Sequence, residues 1–140
     1  MSVPMLIECL AWNCKDNDIA IAALKELIAK SPVSIMLVMQ TPFRKELWEN
    51  EAKVIASQDD DVIKVYLVPL LNWIADLNWP GSEIIFDRIV ALGGKETIRV
   101  VEKVCCFAQH RGEISWSKHL TLLRACIERR VFLRDANFLE

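Results

Sequence analysis

Apolar residues along this chain recur at intervals of three and four, the period of a helix with one buried face. The clearest stripe is Ile63, Leu67, Leu70, Ile74 and Leu77, which predicts a helix over 62–77. Asp59, Asp60 and Asp61 stand at its start, where the helix macrodipole favours negative charge. Three further stripes follow: Ile85, Ile89, Leu92; then Ile98, Val101, Cys105, Ala108; then Trp116, Leu120, Leu123, Ile127. Upstream, Asp16-Asn17-Asp18 offers N-caps for a helix to about Lys30, and Ser31-Pro32 starts a short apolar segment to about Gln40. Thr41-Pro42 opens a helix through Leu47, Trp48, Val54 and Ile55 that runs out near Ser57-Gln58, while Gly93-Gly94 closes the helix before it. No stretch sustains strand alternation, so the pattern predicts an all-α fold. The pairs 60–92 and 95–128, similar in length, are expected to be antiparallel hairpins stacked as a short solenoid, with 1–58 as N-terminal helices of one domain, 1–140.

The densest chemistry lies at one corner, Trp73-Ile74-Ala75-Asp76-Leu77-Asn78-Trp79-Pro80. Pro80 forces Trp79 out of the α region and suits the first turn of a new helix, where its missing N–H costs nothing. Asn78 is expected to adopt the left-handed conformation that ends one helix or to cap the next, and Asp76 to accept from free amides near the turn. Trp73, one residue from the Ile74 stripe, should staple the corner. Trp79 is expected either to staple it or to anchor a partner.

The stretch Leu70 to Pro80, with its W-x-x-D-x-N-W-P pattern, resembles the signature of a family of small bacterial all-helical HEAT-like domains of unknown activity, found among the immunity proteins of toxin systems. The resemblance covers about residues 60–128, with Trp116-Ser117-Lys118 near a Trp-rich segment of relatives, and leaves the first 58 residues unmatched. It implies a HEAT-like solenoid and a cytoplasmic immunity protein that binds and neutralises a cognate protein toxin, such as a nuclease of the contact-dependent growth inhibition type. Such a family indicates fold more firmly than function.

Composition narrows the classes. With 53% hydrophobic residues, 26% charged residues and only 4 Gly, the chain has the make-up of a globular domain able to bury a core without metal or disulfides. Glu8 interrupts the first apolar stretch and no basic residue precedes Lys15, unlike a signal peptide; the run Ile35 to Met39 is too short to span a bilayer. A cytoplasmic protein without a membrane partner is expected, its 5 cysteines serving as small apolar side chains. Gly93-Gly94-Lys95-Glu96-Thr97 lacks the first glycine and the strand of a phosphate loop, and Cys105, Cys106, His110 and His119 fit no zinc spacing. No catalytic residue, cofactor, metal or small-molecule substrate is therefore assigned.

Charge divides the chain. Glu46 to Asp87 holds nine acidic and two basic residues, whereas Arg88 to Arg134 holds ten basic and four acidic ones. Part of this is solvated helix ends. Beside the aromatic corner, however, an acidic run supplies both steering and anchors for a positively charged partner. This selects Asp59, Asp60, Asp61, Asp76, Trp79, Glu83 and Asp87 as partner-binding candidates. A helical scaffold or adaptor module is the alternative reading. For a nucleic-acid-binding repeat, Arg124, Arg129, Arg130 and Arg134 are suggestive, but the acidic half and a pI near 5.7 argue against it.

Overall fold

Helix boundaries fall where breakers and side-chain clamps place them. In the computed structural model, which describes residues 1–138, the elements are α1 (Val3–Glu8), α2 (Asn17–Lys30), a 3-10 segment (Pro32–Val38), α3 (Lys45–Ala56), α4 (Asp60–Val65), α5 (Leu67–Leu71), a second 3-10 segment (Asn72–Ala75), α6 (Ser82–Leu92), α7 (Lys95–His110) and α8 (Ile114–Phe138). The described residues contain no strand, as the periodicity leads one to expect.

The expected helix over 62–77 is broken into three pieces, and the cause is Pro69. Its ring cannot sit under the carbonyl four residues back, and it has no N–H to give. The chain therefore leaves the α region at Tyr66 (φ −105°, ψ 18°), resumes as α5, and tightens into 3-10 geometry before the corner. The stripe survives the break: Ile63, Leu67, Leu70 and Ile74 are all buried. A second departure lies upstream. Thr41-Pro42 does not open α3, which begins at Lys45. Gln40 and Phe43 adopt left-handed backbone (φ 50° and 63°), and Thr41 is held by the fully buried Glu51, which accepts from the Thr41 amide (3.0 Å) and hydroxyl (2.6 Å). Burial pushes the Glu51 carboxyl above its usual range, and the two Thr41 donors partly offset this.

One contiguous core runs from Leu10 to Ile127. α7 and α8 pair across the short turn 111–113, giving the expected C-terminal hairpin. The preceding pair is less regular. α6 packs chiefly on α3 and α8, while α5 packs on α7. Gly81 meets Glu49 and Arg88 meets Ala56, so α6 runs parallel to α3. The N-terminal helices are tied in by polar contacts: Asn50 donates to Leu10 O (2.8 Å), Asn17 to the carbonyls of Cys9 and Ala11, and Arg44 clamps Glu8 through two nitrogens (2.8 and 2.9 Å).

Candidate binding surface at the tryptophan corner

The corner is built from the inside outward. Trp73 is fully buried and donates its indole N–H to Pro80 O (2.9 Å), closing the loop it begins; Ser82 Oγ returns a bond to Trp73 O (2.8 Å). Asp76 Oδ1 accepts from the Asn78 amide (2.8 Å), the local turn its type favours. α8 grips the end of α5 and the second 3-10 segment from the other side, with Trp116 Nε1 donating to Leu71 O (3.0 Å) and His119 Nδ1 2.9 Å from Ile74 O.

Two details differ from the sequence expectation. Asn78 is not left-handed. That conformation belongs to Gly81 (φ 84°), which caps α6, so Pro80 lies just outside the helix and not in its first turn. Gly81 is also sterically required: a Cβ there would stand 2.7 Å from Ala52 Cβ and 2.8 Å from Trp48 O. Its amide donates to Glu49 Oε2 (2.9 Å). The dipeptide Pro80-Gly81 carried this information as a turn signal.

Trp79 sits half-buried on this platform, edge-on to Trp48 with ring centroids 5.6 Å apart. It both staples and remains available. Trp48, Trp73 and Trp116 each donate their indole N–H to a backbone carbonyl, whereas that of Trp79 has no partner among the described residues and is not buried. A ring with an apolar body packed and a polar edge open is a typical anchor for a second molecule.

Three clefts follow one another at the corner, the first two bordered by Trp79. The first, about 490 Å³, lies between Gln40, Trp79 and the start of α8 at Glu113, Ile114 and Trp116. The second, about 320 Å³, shares Trp79 and adds Glu49, Leu77 and Glu83. A third, about 330 Å³, shares Leu77 and Glu83 and continues to Phe86, Asp87 and Leu122. Glu83 and Asp87 lie one turn apart on the open face of α6; Arg88 flanks it toward α3 and α4, Phe86 toward α8.

The seven candidate residues thus separate. Trp79, Glu83 and Asp87 border the clefts, and Asp76 shapes the turn beside them. Asp60 accepts from Arg88 Nη2 (2.7 Å), and the same guanidinium donates to Ala56 O (3.0 Å) and Gln58 O (2.9 Å). Its role is to join α6 to the α3–α4 junction. Asp59 is the N-cap residue of α4 and borders a shallow depression against Lys25 and Glu26 of α2; Asp61 is exposed in the first turn. Sequence reading missed Glu49, Gln40 and Glu113, which come from segments far from the corner. Only tertiary packing reveals them.

The remaining candidate constellations are not assembled. Cys105 Sγ lies 3.5 Å from Ser117 O, His119 turns to Ile74 O, and among the described residues no three His, Cys, Asp or Glu side chains group as metal ligands would. Arg124 is neutralised by Glu102 (3.1 Å) and Glu128 (2.8 Å). No described helix is long and apolar enough to cross a membrane. No protein-family model, curated protein or solved structure matches this chain.

Proposed function

We propose that this chain is an immunity-type protein that neutralises a cognate bacterial toxin by stoichiometric protein–protein contact. The observation that supports the reading best is Trp79, an aromatic anchor with an open indole N–H, set among clefts whose rim is acidic. Glu49, Glu83 and Asp87 form no ion pair with any described residue, so their charge is available to a cationic surface. Opposite charge accelerates encounter, and a matched apolar anchor then sets the dissociation rate. The resemblance of the Trp73 to Pro80 pattern to immunity domains supplies the class of partner, and a nuclease with a basic substrate channel suits the charge.

The test is protection. Co-expression with the toxin encoded beside this chain's gene should rescue growth, and co-expression with unrelated toxins should not, because one matched surface confers specificity. Death of the co-expressing cells at confirmed levels of folded protein would refute the proposal. A scaffold module would use the same surface, and it is distinguished by the identity of the gene neighbour.

A further inference from the structure

We infer that the partner is held in the continuous groove around the N-terminus of α6, and that its docking element is a segment of polypeptide alternating basic with apolar side chains. This rests on the reading that the protein acts by binding another protein, and it moves the contact away from Asp59, Asp60 and Asp61. Continuity is the first argument. Trp79 is a wall common to the first and second clefts, and Leu77 and Glu83 are common to the second and third, so one occupant can pass from the start of α8 across the corner to Leu122.

Charge complementarity is the second. Glu49, Glu83, Asp87 and Glu113 line the three clefts, and no lysine or arginine does. Glu113 is paired with Arg111 at 3.8 Å, whereas Glu49, Glu83 and Asp87 form no ion pair with a described residue; the nearest cation on the Trp48 side, Lys45, lies over the Trp48 ring. Carboxylates interspersed with the apolar Leu77, Ile84, Phe86 and Leu122 repel an acidic ligand, and a purely aliphatic one leaves Glu83 and Asp87 without partners. A segment with cations on one side and aliphatic or aromatic groups on the other satisfies both.

The third argument is the hydrogen-bond inventory. An extended segment presents unsatisfied backbone carbonyls, and Trp79, which borders the first and second clefts, carries an indole N–H that has no partner among the described residues and can donate to one. The Asp59 to Asp61 triplet offers nothing comparable. Asp60 is engaged by Arg88, and Asp59 faces the Lys25 side of α2.

The experiment is an amide- and indole-resolved NMR titration of the full chain with a blocked peptide alternating lysine with leucine, at low salt. Perturbations should concentrate on the Trp79 indole, Leu77 and Phe86. Replacing the lysines by glutamate should abolish them. The double variant Glu83→Lys with Asp87→Lys should weaken binding by about tenfold or more, as expected for reversed steering charge. Asp59→Lys with Asp61→Lys should leave it within about twofold. Replacing Trp79 with benzothienylalanine exchanges only the indole N–H for sulfur and keeps the bicyclic ring against Trp48, so it should weaken binding while leaving the melting curve intact. Shifts centred on Asp59 to Asp61, equal weakening by both double variants, or binding of the glutamate peptide would overturn the proposal. So would concentration-dependent dimerisation abolished by the Glu83 and Asp87 changes, which would make a second copy the occupant. In the protection assay the groove variant should lose rescue and the triplet variant keep it. Rescue that survives the groove variant refutes the groove and leaves neutralisation standing; peptide binding without rescue refutes neutralisation and leaves the groove.

Discussion

Gly81→Ala is the sharpest perturbation of the corner. Three terms add. A left-handed alanine costs about 1–2 kcal/mol relative to glycine. The new Cβ would lie 2.7 Å from Ala52 Cβ and 2.8 Å from Trp48 O, so the chain must shift at a cost of roughly 1–3 kcal/mol for overpacking. That shift also stretches the bond from the Gly81 amide to Glu49 Oε2, now 2.9 Å, a charged hydrogen bond worth about 1.5–3 kcal/mol when intact. Because the last term is only partly lost, the sum is about 3–5 kcal/mol. Against a total stability of about 5–15 kcal/mol this is severe, and at 2–4 °C per kcal/mol for a chain of this size it lowers Tm by roughly 6–20 °C. The control is Gly112→Ala, which has a similar φ (72°) but no atom within 4 Å of the added Cβ, and so carries the conformational cost alone. Thermal and guanidinium denaturation followed by circular dichroism measure both. Adding Ala52→Gly to Gly81→Ala should recover only part of the loss, since the Trp48 carbonyl is backbone. If the two single variants lose stability equally within about 1 kcal/mol, the corner is not sterically closed around Gly81 and the account given for it fails.

Arg88→Ala removes the donor to three oxygens joining α3, α4 and α6, and should destabilise by about 2–3 kcal/mol, with Arg88→Lys recovering less than half; equal stability of the wild type and the Ala variant in urea would refute the clamp. Trp73→Ala removes a fully buried ring and strands Pro80 O, and should cost about 3–5 kcal/mol, whereas an unchanged melting curve would place the ring outside the core. Glu51 titrates above its usual 4.5 in the fold, so the native state holds its proton more tightly than the unfolded chain. Its contribution to stability is therefore fully present below pH 4.5 and is lost as pH rises through the elevated folded value. Glu51→Gln should flatten the fall in stability across that window, and an identical pH profile for both proteins would refute the assignment.

The all-α class and most helix positions were legible because burial imposes a period the chain must obey: Ile85 and Ile89, or Leu120, Leu123 and Ile127, are core in the fold as their spacing indicates. Pro69 shows where periodicity misleads. Apolar spacing reports which face is buried and is blind to a missing N–H, so a stripe can continue through a break in the helix that carries it. Of the surface, Trp79, Glu83 and Asp87 were legible from local charge and aromaticity. Glu49 and Gln40 were not, because only the parallel seating of α6 on α3, and the left-handed turn before α3, bring them to the corner.

The corner's attachments also govern how the molecule comes apart. Gly81 is seated against Trp48 and Ala52, Arg88 caps the carbonyl end of α3, and from α8 Trp116 holds the end of α5 and His119 the 3-10 segment. Residues 60–128 should consequently fail to fold as an autonomous module. Excised at 58, that fragment would expose the underside of Trp79 and leave Arg88 with only Asp60 to bond. The chain should melt in one transition, with hydrogen-exchange protection at the corner equal to that of the global core, because the link between the two halves is also the keystone of both.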